Sequence, residues 1–214
     1  GRMENPEQEL EQLSVPYVLC TVAHSMDSPV PKVNSVAIDD ETESYNAVKY
    51  LIGKGHRRIA IVTGHKDDLA VGGQRLSGYK KALTEAGIPI DENLIGYMMT
   101  DITEFTPDNG YAVTKELLQR TDFTALYCIS DMTAFGAYKA ISEAGLRIPE
   151  DLSVLGFDGI SLGKFMTPSL TSVVQPREQL VKSSVELLKK SINGAKKTKQ
   201  LIYPAHLVER DSVG

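Results

Sequence analysis

From Val33 to Val208, short apolar runs alternate with longer stretches in which apolar residues recur every three or four positions. Such alternation predicts a parallel sheet with helices on both faces. Val36–Ile38 reads as extended, and Asp39-Asp40 can cap a helix over Glu41–Lys54 with Tyr45, Val48, Leu51 and Ile52 at helical spacing. Gly53 and Gly55 stop it. Ile59–Val62 is continuously apolar, as expected of a strand buried on both faces. Leu76, Tyr79, Leu83 and Ala86 mark a second helix, closed by Gly87 with Pro89 beyond. The same logic repeats in a strand over Leu94–Met98 and a helix that opens at Thr106-Pro107 and reaches Leu118. A strand over Thr124–Ile129 then leads to a helix carrying Ala134, Ala137, Ile141 and Ala144, capped by Ser130 or Asp131 and ended by Gly145. Leu152–Phe157 is a further strand, Ile160–Ser172 has no helical period, and Val173–Gln175 looks extended. Pro176 opens the last helix, with Leu180, Val185, Leu187 and Leu188 on its apolar side, and Asn193-Gly194 closes it. Lys196–Lys199 reads as a loop and Leu201–Val208 as the final extended segments. Upstream, Leu10–Leu13 reads as the tail of a helix feeding a strand over Val15–Cys20.

Composition narrows the classes. With 214 residues, 42% apolar and 24% charged, the chain has globular proportions, so disorder, collagen and coiled coil are excluded. Its longest apolar runs are strand-length, far short of the roughly 20 residues that cross a bilayer. Cys20 and Cys128 each sit in an apolar run with no C-x-x-C pairing, which predicts two buried structural thiols in a reducing, cytoplasmic compartment. A net charge of −5, with no basic stretch beyond Gly55–Arg58 and Lys196–Lys199, gives no footprint for DNA on this chain. Its direct ligand is expected to be small.

Candidate chemistry is sparse. Gly159-Ile160-Ser161-Leu162-Gly163 matches the G-x-S-x-G nucleophile elbow, but that elbow needs a helix beginning at once. Gly163, Thr167 and Pro168 interrupt one, and only His206 remains downstream as a base, so a glycine-punctuated loop fits better than a hydrolase. Gly72-Gly73 lacks phosphate-loop spacing, and the four histidines form no metal-ligand pattern, so neither cofactor nor metal is expected. Arg75, near a helix start, could offer a planar fork to sugar hydroxyls or a carboxylate, or could simply be a solvated helical arginine. Asp158 ends a strand where open α/β sheets place ligand-binding groups; it could accept hydroxyls or cap a turn. Phe105 could stack on a flat ligand face or staple the helix start behind it. No nucleophile with a base is visible, so binding fits better than catalysis.

Several segments together resemble a known family. Ser35–Asp39, Gly55-His56-Arg57-Arg58-Ile59-Ala60, Arg75-Leu76-Ser77-Gly78-Tyr79, Gly156-Phe157-Asp158 and Thr167-Pro168-Ser169-Leu170-Thr171 are similar to the effector-binding core of the LacI/GalR family. So are Val15-Pro16-Tyr17-Val18, the run Ala144–Val154 and the terminal Leu207–Ser212, and the likeness extends from about Val15 onward. The resemblance implies a transcriptional regulator whose core resembles periplasmic sugar-binding proteins, with two doubly wound sub-domains closing on a small effector. It implies that Arg75 and Asp158 bind effector polar groups and that Phe105 is the stacking aromatic. Ser130 stands where many members carry asparagine, Asp131 keeps the acidic half of that pair, and Thr21 and Gln175 match further pocket positions. Sugar is the default effector, with purines and phosphorylated metabolites as alternatives; a homodimer is also implied, with no membrane partner. The rival readings are a transporter's periplasmic sugar-binding protein and, more remotely, a serine hydrolase.

On this likeness, residues 1–38 and 175–208 form part of an N-terminal sub-domain, and residues 39–174 and 209–214 form the C-terminal one. Operator DNA would be bound only through a helix-turn-helix headpiece that has no counterpart in this sequence. With half a sub-domain, the chain is expected to aggregate, pair with another copy or retain a further segment.

Overall fold

The computed structural model describes residues 10, 12–21, 33–195 and 197–214. Its larger sheet contains β3 (Ile59–Thr63), β4 (Ile95–Tyr97), β5 (Ala125–Cys128), β6 (Ser153–Asp158), β7 (Thr171–Val174) and β9 (His206–Val208), in the order β4-β3-β5-β6-β7-β9. All neighbours are parallel except β9, which runs antiparallel to β7. A smaller parallel sheet has the order β1-β2-β8, from Val18–Cys20, Asn34–Ala37 and Gln200–Ile202.

The period-2 alternation of the strands sorts the core into two layers. Ile59, Ile61, Tyr127, Leu155 and Phe157 face one side, where α1 (Asp40–Gly53) and α2 (Val71–Glu85) cover them. Ala60, Val62, Leu126, Cys128 and Val154 face the other, under α3 (Pro107–Arg120) and α4 (Asp131–Glu143). Each large apolar side chain so buried contributes roughly 1.5–3 kcal/mol. The remaining helix, α5 (Arg177–Ile192), packs Leu180 and Leu187 against Val36 of the smaller sheet.

Local signals place most boundaries. Asp39 caps α1 by accepting from the Thr42 amide, Thr106 caps α3 with Pro107 at its first position, and Ser130 rather than Asp131 caps α4. Four expectations change. The second helix begins at Val71, well ahead of Leu76, its first apolar marker in the sequence, so Gly72 and Gly73 lie in its first turn. Cys128 is buried as expected, but Cys20 at the end of β1 is exposed. Residues 206–208, grouped by sequence with the smaller part, pair with β7 in the larger sheet. Within 160–172 a short 3₁₀ turn forms over Ser161–Phe165, so Ser161 opens a single distorted turn and not the long helix that a nucleophile elbow requires. The expected helix tail at 10–13 falls partly outside the described residues. Among the described residues, no helix is long and apolar enough to cross a membrane.

Candidate functional site

The polar chemistry concentrates at the C-terminal ends of the larger sheet's strands. Arg75, on the first turns of α2, is buried, with its guanidinium stacked 3.5 Å above the Phe157 ring. Its Nε and Nη2 both donate to Oδ1 of Asp40, at 2.8 and 2.7 Å, and Nη1 donates to the Ile129 carbonyl. The fork is therefore largely occupied from within and is not the open, solvated arginine that its helix position allowed. Nη1 also stands 3.8 Å from Oδ1 of Asp158, too far for a hydrogen bond.

Asp158 ends β6 with φ +107, and its Oδ1 accepts from Gln175 Nε2 at 2.7 Å while its carbonyl accepts from Arg177 Nη2 at 2.8 Å. The crossing segment between β7 and α5 is thus bonded directly to this residue. Burial raises the Asp158 carboxyl above the usual range, with Arg75 and Gln175 opposing. Burial raises Asp40 in the same way against Arg75. For Arg75 burial opposes the charge, but Asp40 and Asp158 outweigh it, so the guanidinium stays protonated.

Phe105 reaches the same end of the sheet on the loop between β4 and α3. It has φ +55, its amide donates to the Met98 sulfur at 3.3 Å, and its ring packs against the core layer under α1 and α2. A staple onto α3 is ruled out because the position it would meet is Gly110, which has no side chain. The loop is further held by Asn109, whose amide brackets the Met99 backbone, and by His65, which bridges the Met98 carbonyl at 2.9 Å and Glu104 at 2.6 Å. Thr21, at the end of β1 in the smaller sheet, is exposed with φ +66.

The described non-glycine residues in left-handed backbone are Thr21, Phe105 and Asp158, all three singled out from sequence. Such strain collects where function over-determines the backbone. The structure brings Arg75, Asp158 and Gln175 into one cluster and sets Phe105 at the same sheet end. Ser130 and Asp131 are differently engaged. The Ser130 hydroxyl is taken by the Thr133 amide of its own helix, and both oxygens of the fully buried Asp131 carboxylate are taken by Ile160 and Ser172. Sequence reasoning missed Asp40. Two adjacent aspartates were visible at the helix start, only one can cap it, and the second is the carboxylate that meets Arg75. Among the described residues no cluster of His, Cys, Asp and Glu could hold a metal ion.

Residues 48–213 match the family described as a periplasmic binding protein-like domain. The HTH-type transcriptional regulator MalR of Clostridium butyricum is 39% identical over 210 residues, covering 98% of this chain and 61% of that protein. Among solved structures, a transcriptional regulator CelR-cellobiose complex is 35% identical with a TM-score of 0.85, covering 96% of this chain and 61% of the other. A LacI family transcriptional regulator from Enterococcus faecium with bound ribose is 27% identical with a TM-score of 0.80, covering 97% and 74%. The chain spans about three fifths of the length of the first of these relatives.

Proposed function

Because the chain belongs to the periplasmic binding protein-like domain family, in the form shared with LacI-family regulators, we propose that it is the ligand-sensing core of a cytoplasmic transcriptional regulator and binds a neutral sugar. The carrying observation is the juxtaposition of the buried Arg75 with the partly exposed Asp158, a donor and an acceptor 3.8 Å apart at the strand ends. A sugar hydroxyl both accepts and donates, so one hydroxyl can take a hydrogen bond from Nη1 of Arg75 and give one to Oδ1 of Asp158. Phe105 would supply an aromatic face for the ring, Gln175 a further donor from the crossing beside Asp158, and Thr21 a hydroxyl from the smaller sheet. The cellobiose and ribose named for two related structures support a sugar over a purine.

No bond needs to form or break. A ligand that bonds to the joined Asp158 and Gln175 on one side and to the smaller sheet on the other favours one arrangement of the two sheets by its differential affinity, and the Gln175–Arg177 crossing carries that bias toward the rest of the molecule. Operator DNA would be bound by a helix-turn-helix segment outside these 214 residues, in a homodimer as is usual for symmetric sites. The test is a thermal-shift and calorimetric screen with cellobiose, maltose, ribose and hypoxanthine. A sugar at a hundred times its Kd should stabilise the protein by about 2.7 kcal/mol, and Asp158→Ala should cut that response to about 0.3–1.3 kcal/mol at the same concentration. Stabilisation by hypoxanthine alone would replace the sugar reading with a purine one.

A further inference from the structure

Asp131 was expected to contact the ligand or cap its helix, and its geometry does something else. Its carboxylate crosses from the first turn of α4 to the turn that follows β6. There Oδ2 accepts the Ile160 amide at 2.6 Å and Oδ1 accepts the Ser172 hydroxyl at 2.6 Å. Ser172 Oγ in turn accepts the Gly159 amide at 3.1 Å. The two amides after Asp158 therefore both end on Asp131, one directly and one through Ser172. Room for the carboxylate comes from Gly156, where any side chain would run into it.

The turn needs such a hold. Asp158 has φ +107 and Gly159 φ +68, and an aspartate leaves that region unless its surroundings fix it. An anion accepting two short hydrogen bonds in dry surroundings is a strong and directional fixture. We propose that Asp131 is a positioning residue: it clamps the 158–160 turn and thereby sets the Asp158 carboxylate beside Arg75 for the ligand. The ligand part of this inference rests on the sensor reading above; the clamp itself does not.

The clamp is titratable. Burial pushes the Asp131 carboxyl up to about 6, against the Ser172 and Ile160 hydrogen bonds; the charged or titratable groups acting on it are Asp158, Arg210 and Cys128 from neighbouring elements and Tyr138 from its own helix. As pH falls through about 6, the carboxylate gains a proton, its pull on the turn weakens, and ligand affinity falls. Folding stability moves the other way. A folded-state pKa raised above the unfolded value of about 4 means that this group's contribution is fully present below about 4 and is lost as pH rises through 6. Between pH 7 and 5 affinity and this share of stability thus change in opposite directions, which general loosening of the fold cannot produce.

Amide hydrogen exchange by NMR and cellobiose calorimetry at pH 5 to 8, on the protein and its Asp131→Asn and Ser172→Ala variants, test the inference. Both variants should exchange Gly159 and Ile160 at least about tenfold faster, while Val154 and Leu155 in β6 are unchanged. Asp131→Asn should weaken cellobiose about tenfold at pH 8 and remove the step near pH 6. Unchanged exchange at Gly159 and Ile160, or equal acceleration throughout β6, overturns the clamp. Faster exchange at those two amides with no heat from the unaltered protein on titration with cellobiose, maltose or ribose upholds the clamp and counts against the sugar reading alone.

Discussion

The two ends of the larger sheet use the same charged residue types under opposite conditions. Where its strands begin, Arg58 stands 4.0 Å from Asp91 and Arg147 grips Asp151 through Nε and Nη2 at 2.8 and 3.0 Å, all on the outside. Where they end, Arg75 and Asp40 are sealed from solvent and Asp158 lies in strained backbone. Exposed pairs are screened by water and contribute little. A buried pair must offset several kcal/mol of desolvation per ion, which favours it only where specificity or binding requires it. The contrast sets one end apart as scaffold and the other as the candidate site.

The sharpest way to break that contrast is Arg75→Ala. It strands Asp40 in the core without a countercharge, so urea unfolding followed by circular dichroism should show a loss of about 3–5 kcal/mol, and sugar binding should vanish. A stability loss below about 1 kcal/mol would mean that the pair is no more buried in effect than Arg147–Asp151.

Asp158→Gly separates binding from folding. Glycine adopts φ +107 without a Cβ penalty, so relief of strain offsets the lost Gln175 bond and the melting temperature should not fall. Sugar affinity should drop by about 1.5–3 kcal/mol, the range for a hydrogen bond to a charged group. If calorimetry and melting decline together, Asp158 serves the fold and not a ligand. Phe105→Leu is milder. It keeps an apolar side chain but removes the aromatic face, and should cost about 0.5–1.5 kcal/mol of sugar affinity; an unchanged Kd would take Phe105 out of the contact.

What was legible from sequence follows the same division. The scaffold is written in local signals: continuous apolar runs for β3 and β5, the Asp39 and Thr106 caps, Pro107 at a helix start, and the glycines that close helices. Arg75 and Asp158 could be named because strand ends in such sheets carry ligands. Their partners could not. That Arg75 meets Asp40 depends on the packing of α1 against α2, thirty-five positions apart in the chain. Nor does any pattern announce that a phenylalanine, a threonine and an aspartate adopt left-handed backbone. The antiparallel docking of β9 and the role of Asp131 depend likewise on long-range closure, through β7 in one case and the turn after β6 in the other.

Arg147→Ala should have the smallest effect and thereby sharpens the comparison from the scaffold end. Arg147 holds the Asp151 carboxyl down to about 2, first through its side-chain hydrogen bonds and then through its own amide. A carboxyl depressed in the folded state contributes stability above its unfolded value of about 4 and loses it as pH falls toward 2. Near pH 7 the pair is fully exposed and screened, so the substitution should leave cellobiose affinity unchanged and move the melting temperature little. Below pH 4 it removes a proton-sensitive contact, so the variant's acid unfolding, followed by circular dichroism, should begin at a slightly higher pH. A fall in sugar affinity would connect the strand beginnings to the site and abolish the division between the two ends. An acid transition identical to that of the unaltered protein would instead show that even the best-formed exposed fork at the scaffold end contributes nothing measurable.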